Sequence, residues 1–151
     1  MLIIEDADPC APGPRALLEA SHALMQASFP ADDIYALNLA ELSRPGIHFF
    51  SAREGDTVLG TGALAEKEGY GEVKSMFTAS QARGRGVAAA LLRRIEDRAR
   101  ERGLSLLRLE TGASLAAAIR LYERHGFAPC AIFGDYAPNE TSLYMEKTLT
   151  G

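Results

Sequence analysis

The chain has little with which to hold a metal or cross-link itself. It contains two cysteines and three histidines in 151 residues. Cys10, Cys130, His22, His48 and His125 stand apart from one another, with none of the short spacings that gather ligands around a zinc ion. No structural or catalytic metal is therefore expected. Positive charge is not in excess either: 16 Lys and Arg face 20 Asp and Glu, a formal net charge of -4. Attraction to a phosphate backbone or an anionic lipid surface needs clustered positive charge, so neither a nucleic acid nor a membrane is an expected partner. The one basic cluster, Arg83, Arg85, Arg93, Arg94, Arg98, Arg100 and Arg102, is interleaved with Glu96, Asp97 and Glu101 and reads largely as a solvated helix face. Long apolar runs are missing. The start, Met1-Leu2-Ile3-Ile4-Glu5-Asp6, lacks a basic leader, and no later segment approaches the roughly 20 apolar residues that a bilayer span requires. A cytoplasmic chain with reduced thiols is the expectation. Internal repeats and low-complexity stretches are absent as well.

What is present suits one compact domain, residues 1–151: a length of 151 and a 47% hydrophobic composition are enough for a single core and too little for two. Leu2 to Glu5 reads as a first strand. A Pro- and Gly-rich loop follows, and Pro14 opens a helix over Arg15 to Ser28, with Leu17, Leu18, Leu24 and Met25 as its apolar stripe. Phe29-Pro30 closes it, and a second helix is predicted from Asp32-Asp33 to about Leu42, ended by Pro45-Gly46. The pattern then turns extended: Ile47 to Arg53, Thr57 to Ala65 and Glu72 to Thr78, joined at Glu54-Gly55-Asp56 and near Gly69, form an antiparallel meander.

Gly86 to Arg102 carries Ala88, Leu91, Leu92, Ile95 and Ala99 on one face, the signature of an amphipathic helix, and Gly103 stops it. Beyond lie a strand (Ser105 to Glu110), a helix (Ser114 to His125, with Ala118, Ile119 and Tyr122 inward), a short strand after Gly126-Phe127 and a last one at Thr141 to Lys147. A meander followed by a strand-helix-strand crossover predicts an α/β (α+β) fold. Its central sheet of about seven strands is mixed, mostly antiparallel, and flanked by helices on both faces.

The segment between the third meander strand and the amphipathic helix bears the chemistry. Gln81-Ala82-Arg83-Gly84-Arg85-Gly86-Val87-Ala88 places glycines where the backbone turns tightly and approaches a ligand. Amides at a helix N-terminus point outward together, and the helix dipole adds partial positive charge, so a pyrophosphate can be held with few cationic side chains. Arg83 and Arg85 strengthen that field. The loop lacks the Gly-Lys-Ser/Thr of nucleotide triphosphate sites and the first-strand G-x-G-x-x-G of dinucleotide folds.

Taken with Glu72-Val73-Lys74-Ser75-Met76-Phe77-Thr78 before it and Ala118-Ile119-Arg120-Leu121-Tyr122-Glu123-Arg124-His125-Gly126-Phe127 after it, this loop resembles the central motif of the GCN5-related N-acetyltransferase (GNAT) family. The resemblance covers most of the chain. It implies transfer of an acetyl group from acetyl-coenzyme A to a primary amine by direct attack in a ternary complex. Backbone groups of Met76, Phe77 and Thr78 would bind the pantetheine arm and thioester. Gln81 and the stretch Arg83, Gly84, Arg85, Gly86, Val87 and Ala88 would hold the pyrophosphate. Tyr122 would sit near the sulfur and protonate the departing thiolate. Where the family often has Asn, three residues before Ala118, this chain has Leu115. Homodimers occur in the family, through sheet edges or C-terminal strands.

For the general base, Glu72, Glu110 and a water relay are the alternatives, with Glu72 favoured; strict alternation would put Glu72, Lys74 and Met76 on one face. Lys74, Glu110, Thr111, Tyr35 and Tyr136 are the candidates for the acceptor side. A fixed cation such as Lys74 would favour an amine that also carries a carboxylate. The segments Leu109-Glu110-Thr111-Gly112 and Phe133-Gly134-Asp135-Tyr136 resemble a subgroup acting on small, amino-acid-like amines. Cys130 has no histidine beside it in sequence and reads as a buried, inert thiol. Two other readings remain: a sensor that binds the acyl donor without turnover, and a transferase acting on proteins or peptides.

Overall fold

The computed structural model describes residues 1–30 and 37–149. Its core is one seven-stranded sheet, in the spatial order β1-β2-β3-β4-β5-β7-β6. The strands are β1 (Leu2–Asp6), β2 (Ile47–Glu54), β3 (Thr57–Lys67), β4 (Tyr70–Thr78), β5 (Leu106–Gly112), β6 (Ala128–Pro129) and β7 (Ser142–Thr148). Every neighbouring pair is antiparallel except β4 and β5. Four α-helices accompany the sheet among the described residues: α1 (Pro12–Ser28), α2 (Leu39–Leu42), α3 (Val87–Glu101) and α4 (Ala116–Arg124). The mixed, mostly antiparallel sheet is the one the hydropathy pattern implies.

Successive side chains of a strand point to opposite faces, and β2 shows what each face meets. Phe49 joins Leu18 of α1, Leu42 of α2 and Ala63 in one apolar cluster. Its neighbour Phe50 belongs to the larger cluster with Leu91, Leu92 and Ile95 of α3, Tyr122 of α4 and Leu107, Leu109 and Met145 of the sheet. Helices α1 and α2 therefore cover one face, and α3 and α4 the other. Leu91, Leu92 and Ile95 are fully buried, each contributing about 1.5–3 kcal/mol of transfer free energy.

Three local expectations need correction. The predicted helix up to Leu42 is not continuous: residues 37–38 are non-helical, and α2 runs only over Leu39–Leu42 with Asn38 as its N-cap. Residues 32–33, where the sequence set the start, lie outside the described residues together with Tyr35. The Asn38 side chain accepts from the Glu41 amide at 2.8 Å while Glu41 accepts from the Asn38 amide at 3.1 Å, a capping box that fixes the helix start. In α1, Leu24 is 51% exposed, so the inward stripe runs through Leu18 and Met25 without it. The charged face of α3 is only partly solvated. Glu96 is buried and bound by Lys147 of β7, and Arg94 and Arg98 lie over the Phe50 ring at 5.3 and 5.1 Å.

Candidate active site

The parallel pair is joined only briefly. Gly71 pairs with Leu107 and Glu72 with Arg108, and beyond them β4 and β5 diverge. The separation begins where β4 is deformed: Thr61 of β3 pairs with Phe77 and Ala63 with Lys74, so Ser75 and Met76 together oppose Gly62. This is a β-bulge. Ser75 takes φ 55°, the only positive value at a non-glycine position among the described residues, and its carbonyl accepts from the buried Thr61 hydroxyl at 2.8 Å. The extra residue overturns the alternation read from sequence. Met76 no longer shares a face with Glu72 and Lys74 but packs with Val73 against the α3 cluster.

Between the parted strands lies a cleft of about 320 Å³. Its walls include Lys74, Met76 and Phe77 of β4, Glu110 and Thr111 of β5, and Tyr122 of α4. The stripe Leu18, His22, Met25 and Phe29 closes it from the other face of the sheet. That stripe has the i, i+4, i+7 spacing of one helix face. Its periodicity was legible in the sequence, but nothing there marked His22 or Phe29 as facing a cavity. Leu115, standing where the family often has Asn, is 44% exposed and also lines the cleft.

Tyr122 is 6% exposed, and its ring packs edge-on against Phe127 at 5.8 Å. Burial, with a smaller effect from the charge of Glu110, pushes its phenol above the ordinary 10.0. At neutral pH the Tyr122 phenol is therefore protonated. Glu110 accepts from the Ser142 hydroxyl at 2.6 Å, which fixes the carboxylate on the cleft wall. Glu72 is placed differently. It is 4% exposed, accepts a hydrogen bond from the Tyr136 hydroxyl, lies 3.4 Å from Lys74 and is not part of the cleft lining. The same tyrosine oxygen accepts from the Lys74 ammonium at 2.8 Å. Burial, then the Glu72 charge, raises the Tyr136 phenol well above its usual range.

Thr78 leads from the cleft into the glycine loop. Ala79 N–H donates to Leu59 carbonyl at 2.8 Å, a 3₁₀ turn covers Ser80–Ala82, and Gly84 and Gly86 adopt φ 80° and 78°. Ala82 and Val87 are buried anchors, whereas Gln81 and residues 83–86 are exposed. A Cβ at Gly84 or Gly86 would meet nothing within 4 Å, so a ligand can approach the backbone there. Gly86 caps α3 without a side-chain hydrogen bond, and the first bond of the helix runs from Ala90 N–H to the Gly86 carbonyl at 3.1 Å. The amides of Val87, Ala88 and Ala89 precede that bond and point to the loop side. These groups fit a pyrophosphate. Arg85 is already engaged: its guanidinium meets both carboxylate oxygens of Glu54 at 2.7 Å and holds that carboxyl below its ordinary value. Arg83 is exposed beside it.

Cys130 lies outside the cleft lining. Burial, with Glu146 beside it, raises its thiol, which disfavours the reactive thiolate.

A mixed sheet that parts between its parallel strands, with a glycine-led helix starting behind the opening, defines the acyl-CoA N-acyltransferase fold. The Acetyltransferase (GNAT) family profile matches residues 14–127. Over 123 residues the chain is 49% identical to the IAA acetyltransferase of Azospirillum brasilense, covering 80% of each protein. A Klebsiella pneumoniae structure described as an acyl-CoA N-acyltransferase superimposes with a TM-score of 0.83 at 32% identity, over 99% of both chains. The acetyltransferase yncA of Salmonella typhimurium, solved with its cofactor acetyl-CoA, shares the fold with a TM-score of 0.75 at 20% identity, over 99% of this chain and 94% of that one. The chain belongs to the GNAT family and is an acyltransferase of the N-acetyltransferase type. No described helix is long and apolar enough to cross a membrane.

Proposed function

We propose that the chain transfers the acetyl group of acetyl-coenzyme A to the primary amine of a small acceptor, by direct attack within a ternary complex. The observation that carries this reading is the cleft at the β4/β5 parting, which has a buried, protonated phenol on one wall and a fixed carboxylate on another. The acetyl-CoA held by the structurally similar yncA supports the choice of donor. The small-molecule acceptor is supported by the name of the Azospirillum relative and by the modest cleft volume, about 320 Å³.

In this reading the loop amides from Gly84 to Ala88 hold the pyrophosphate, with Gln81, Arg83 and Arg85 at its rim. The backbone of Met76, Phe77 and Thr78 carries the pantetheine arm. Bound acetyl-coenzyme A supplies an activated acyl carbon and a thiolate leaving group. Glu110, on the cleft wall, takes the proton of the incoming ammonium, a role the sequence reading gave first to Glu72. A main-chain N–H of the bulged segment at Phe77 or Thr78 stabilises the carbonyl oxygen as charge develops on it. Tyr122 donates its Oη proton to the departing sulfur, and the resulting phenolate takes up the second proton that the nitrogen sheds as the amide forms. Thr111 lines the acceptor side, and the aromatic loop at Tyr136 supports it.

The test is to follow free thiol when the purified chain meets acetyl-coenzyme A and a panel of amino acids, polyamines, aminoglycosides and short peptides. Thiol release with a small amine supports the reading. Tight coenzyme A binding with no release across the panel would instead favour a sensor that does not turn over, and release with peptides alone would favour a protein or peptide acceptor.

A further inference from the structure

The cleft bears one fixed charge on each of the strands that part to form it. Lys74 lines it from β4 and Glu110 from β5. The counter-ion of Lys74 does not share that exposure. Glu72 lies 3.4 Å away, 4% exposed, capped by the Tyr136 hydroxyl and outside the lining. Of this ion pair, the lysine is a residue of the cleft wall and the carboxylate is covered by protein.

The ammonium is also immobilised. It donates to the Tyr136 oxygen at 2.8 Å and lies 5.4 Å from the centre of that ring. Tyr136 in turn is wedged edge-on against Phe133 and Tyr144 at 5.3 and 5.5 Å. A lysine ordered in this way has already lost most of its rotamer freedom, so a ligand anion binding there gives up less entropy on docking. The wall contributed by α1 is mainly apolar, through Leu18, Met25 and Phe29.

We infer that the acceptor is an amino acid or close analogue with an apolar side chain. Its ammonium faces Glu110, its carboxylate is read by Lys74, and its side chain lies on the α1 wall. Lys74 is then a specificity-determining residue, and Tyr136 and Glu72 are positioning residues that aim it. This inference rests on the transferase reading.

Matched acceptors test it on the 151-residue chain: leucine, leucinamide and isoamylamine, and likewise phenylalanine, phenylalaninamide and phenethylamine. Thiol release gives kcat/KM for each. A charge-assisted contact makes the free amino acid about 10- to 100-fold better than its amide or decarboxylated partner. In Lys74→Met that ratio falls toward one, and Lys74→Arg, which keeps the cation, restores most of it. The wild-type ratio needs no variant, so the inference can fail even if Lys74→Met folds poorly.

Calorimetry of the same acceptors with the coenzyme A-loaded chain separates the two readings. Amino-acid binding that Lys74→Met abolishes, without thiol release from any amine, sinks the transferase reading and keeps the carboxylate site. Equal turnover of leucine, leucinamide and isoamylamine, or a ratio that Lys74→Met leaves unchanged, overturns the carboxylate site and keeps the transferase. Neither binding nor release would overturn both.

Discussion

A Cβ placed on Gly60 of β3 would lie 2.6 Å from Cγ1 of Val87, the first residue of α3, and 3.1 Å from the Phe77 carbonyl oxygen. The start of the helix therefore rests directly on the strand backbone. Gly62, one pleat further on, leaves similar room for Met76 and Ile95. This close seating holds the loop from Gln81 to Gly86 against the end of β4, so the amides that would meet a pyrophosphate are positioned by packing as well as by their own turn.

Gly60→Ala is expected to cost about 1–3 kcal/mol in urea unfolding, the usual penalty for overfilling a packed site. Coenzyme A affinity, read by calorimetry, should fall with it as the helix start is pushed away. Val87→Ala in the same chain removes the clashing methyl and should recover a large part of both losses. If Gly60→Ala leaves stability and affinity untouched, the helix start is not held by this contact.

Tyr122→Phe keeps the ring packing of a side chain already 6% exposed and removes only the hydroxyl that carries the proton. Turnover should drop by about 100-fold or more, with little change in KM for either substrate. The pH dependence has a definite sign. Burial raises the Tyr122 phenol above 10.0, so the protonated donor is fully populated up to that pH, and wild-type kcat should show no alkaline fall attributable to Tyr122 below about pH 10. An alkaline limb near neutrality that disappears in Tyr122→Phe would contradict this placement of the proton.

The bulge can be probed from both partners. Thr61→Val removes the hydroxyl that donates to the Ser75 carbonyl and should destabilise the chain by about 1–2 kcal/mol. Ser75→Gly suits φ 55° and should be neutral or slightly stabilising, whereas Ser75→Val places a β-branched residue in the left-handed region and should cost more than about 1 kcal/mol. Chemical denaturation of the three variants orders them. Equal stabilities for the glycine and valine forms would mean that β4 runs straight through this point.

How much of this was readable beforehand depends on the range of the interaction. The strands and helices were legible because alternation and the 3.6 period are local, and the glycine loop because turn chemistry is local. The bulge was not, since no feature of Ser75 forces a positive φ; it arises because β4 must pair with β3 on one side and leave β5 on the other. From it follows the misreading of Met76. Glu72 looked like an isolated carboxylate because its partner Tyr136 is 64 residues away. Glu96 looked solvated because Lys147 is 51 residues away. The Asn38–Glu41 cap is the reverse case, a signal contained within four consecutive residues.

Acid should weaken the chain through Glu66, whose carboxylate joins two elements away from the cleft. It accepts from His48 Nε2 at 2.5 Å and from Arg102 Nε at 3.0 Å. The Arg98 guanidinium lies 3.0 Å from the other imidazole nitrogen, Nδ1. Because arginine can only donate, Nδ1 accepts, and Nε2 carries the proton given to Glu66. These contacts, the His48 hydrogen bond foremost, hold the Glu66 carboxyl below its ordinary 4.5 in the folded chain. The unfolded chain then takes up a proton at a pH where the folded one does not. The stabilisation is complete above 4.5 and is lost as pH falls through the lower folded value. Glu66→Gln cannot titrate, so its stability measured by urea unfolding should decline less steeply than wild type between about pH 5 and 3. Some slope must remain, because Asp6, held below 3.8 chiefly by its hydrogen bond from Arg98, titrates in the same range. Parallel curves for the two chains would show that the folded state leaves the Glu66 carboxyl unperturbed and that the His48 bridge contributes nothing to acid stability.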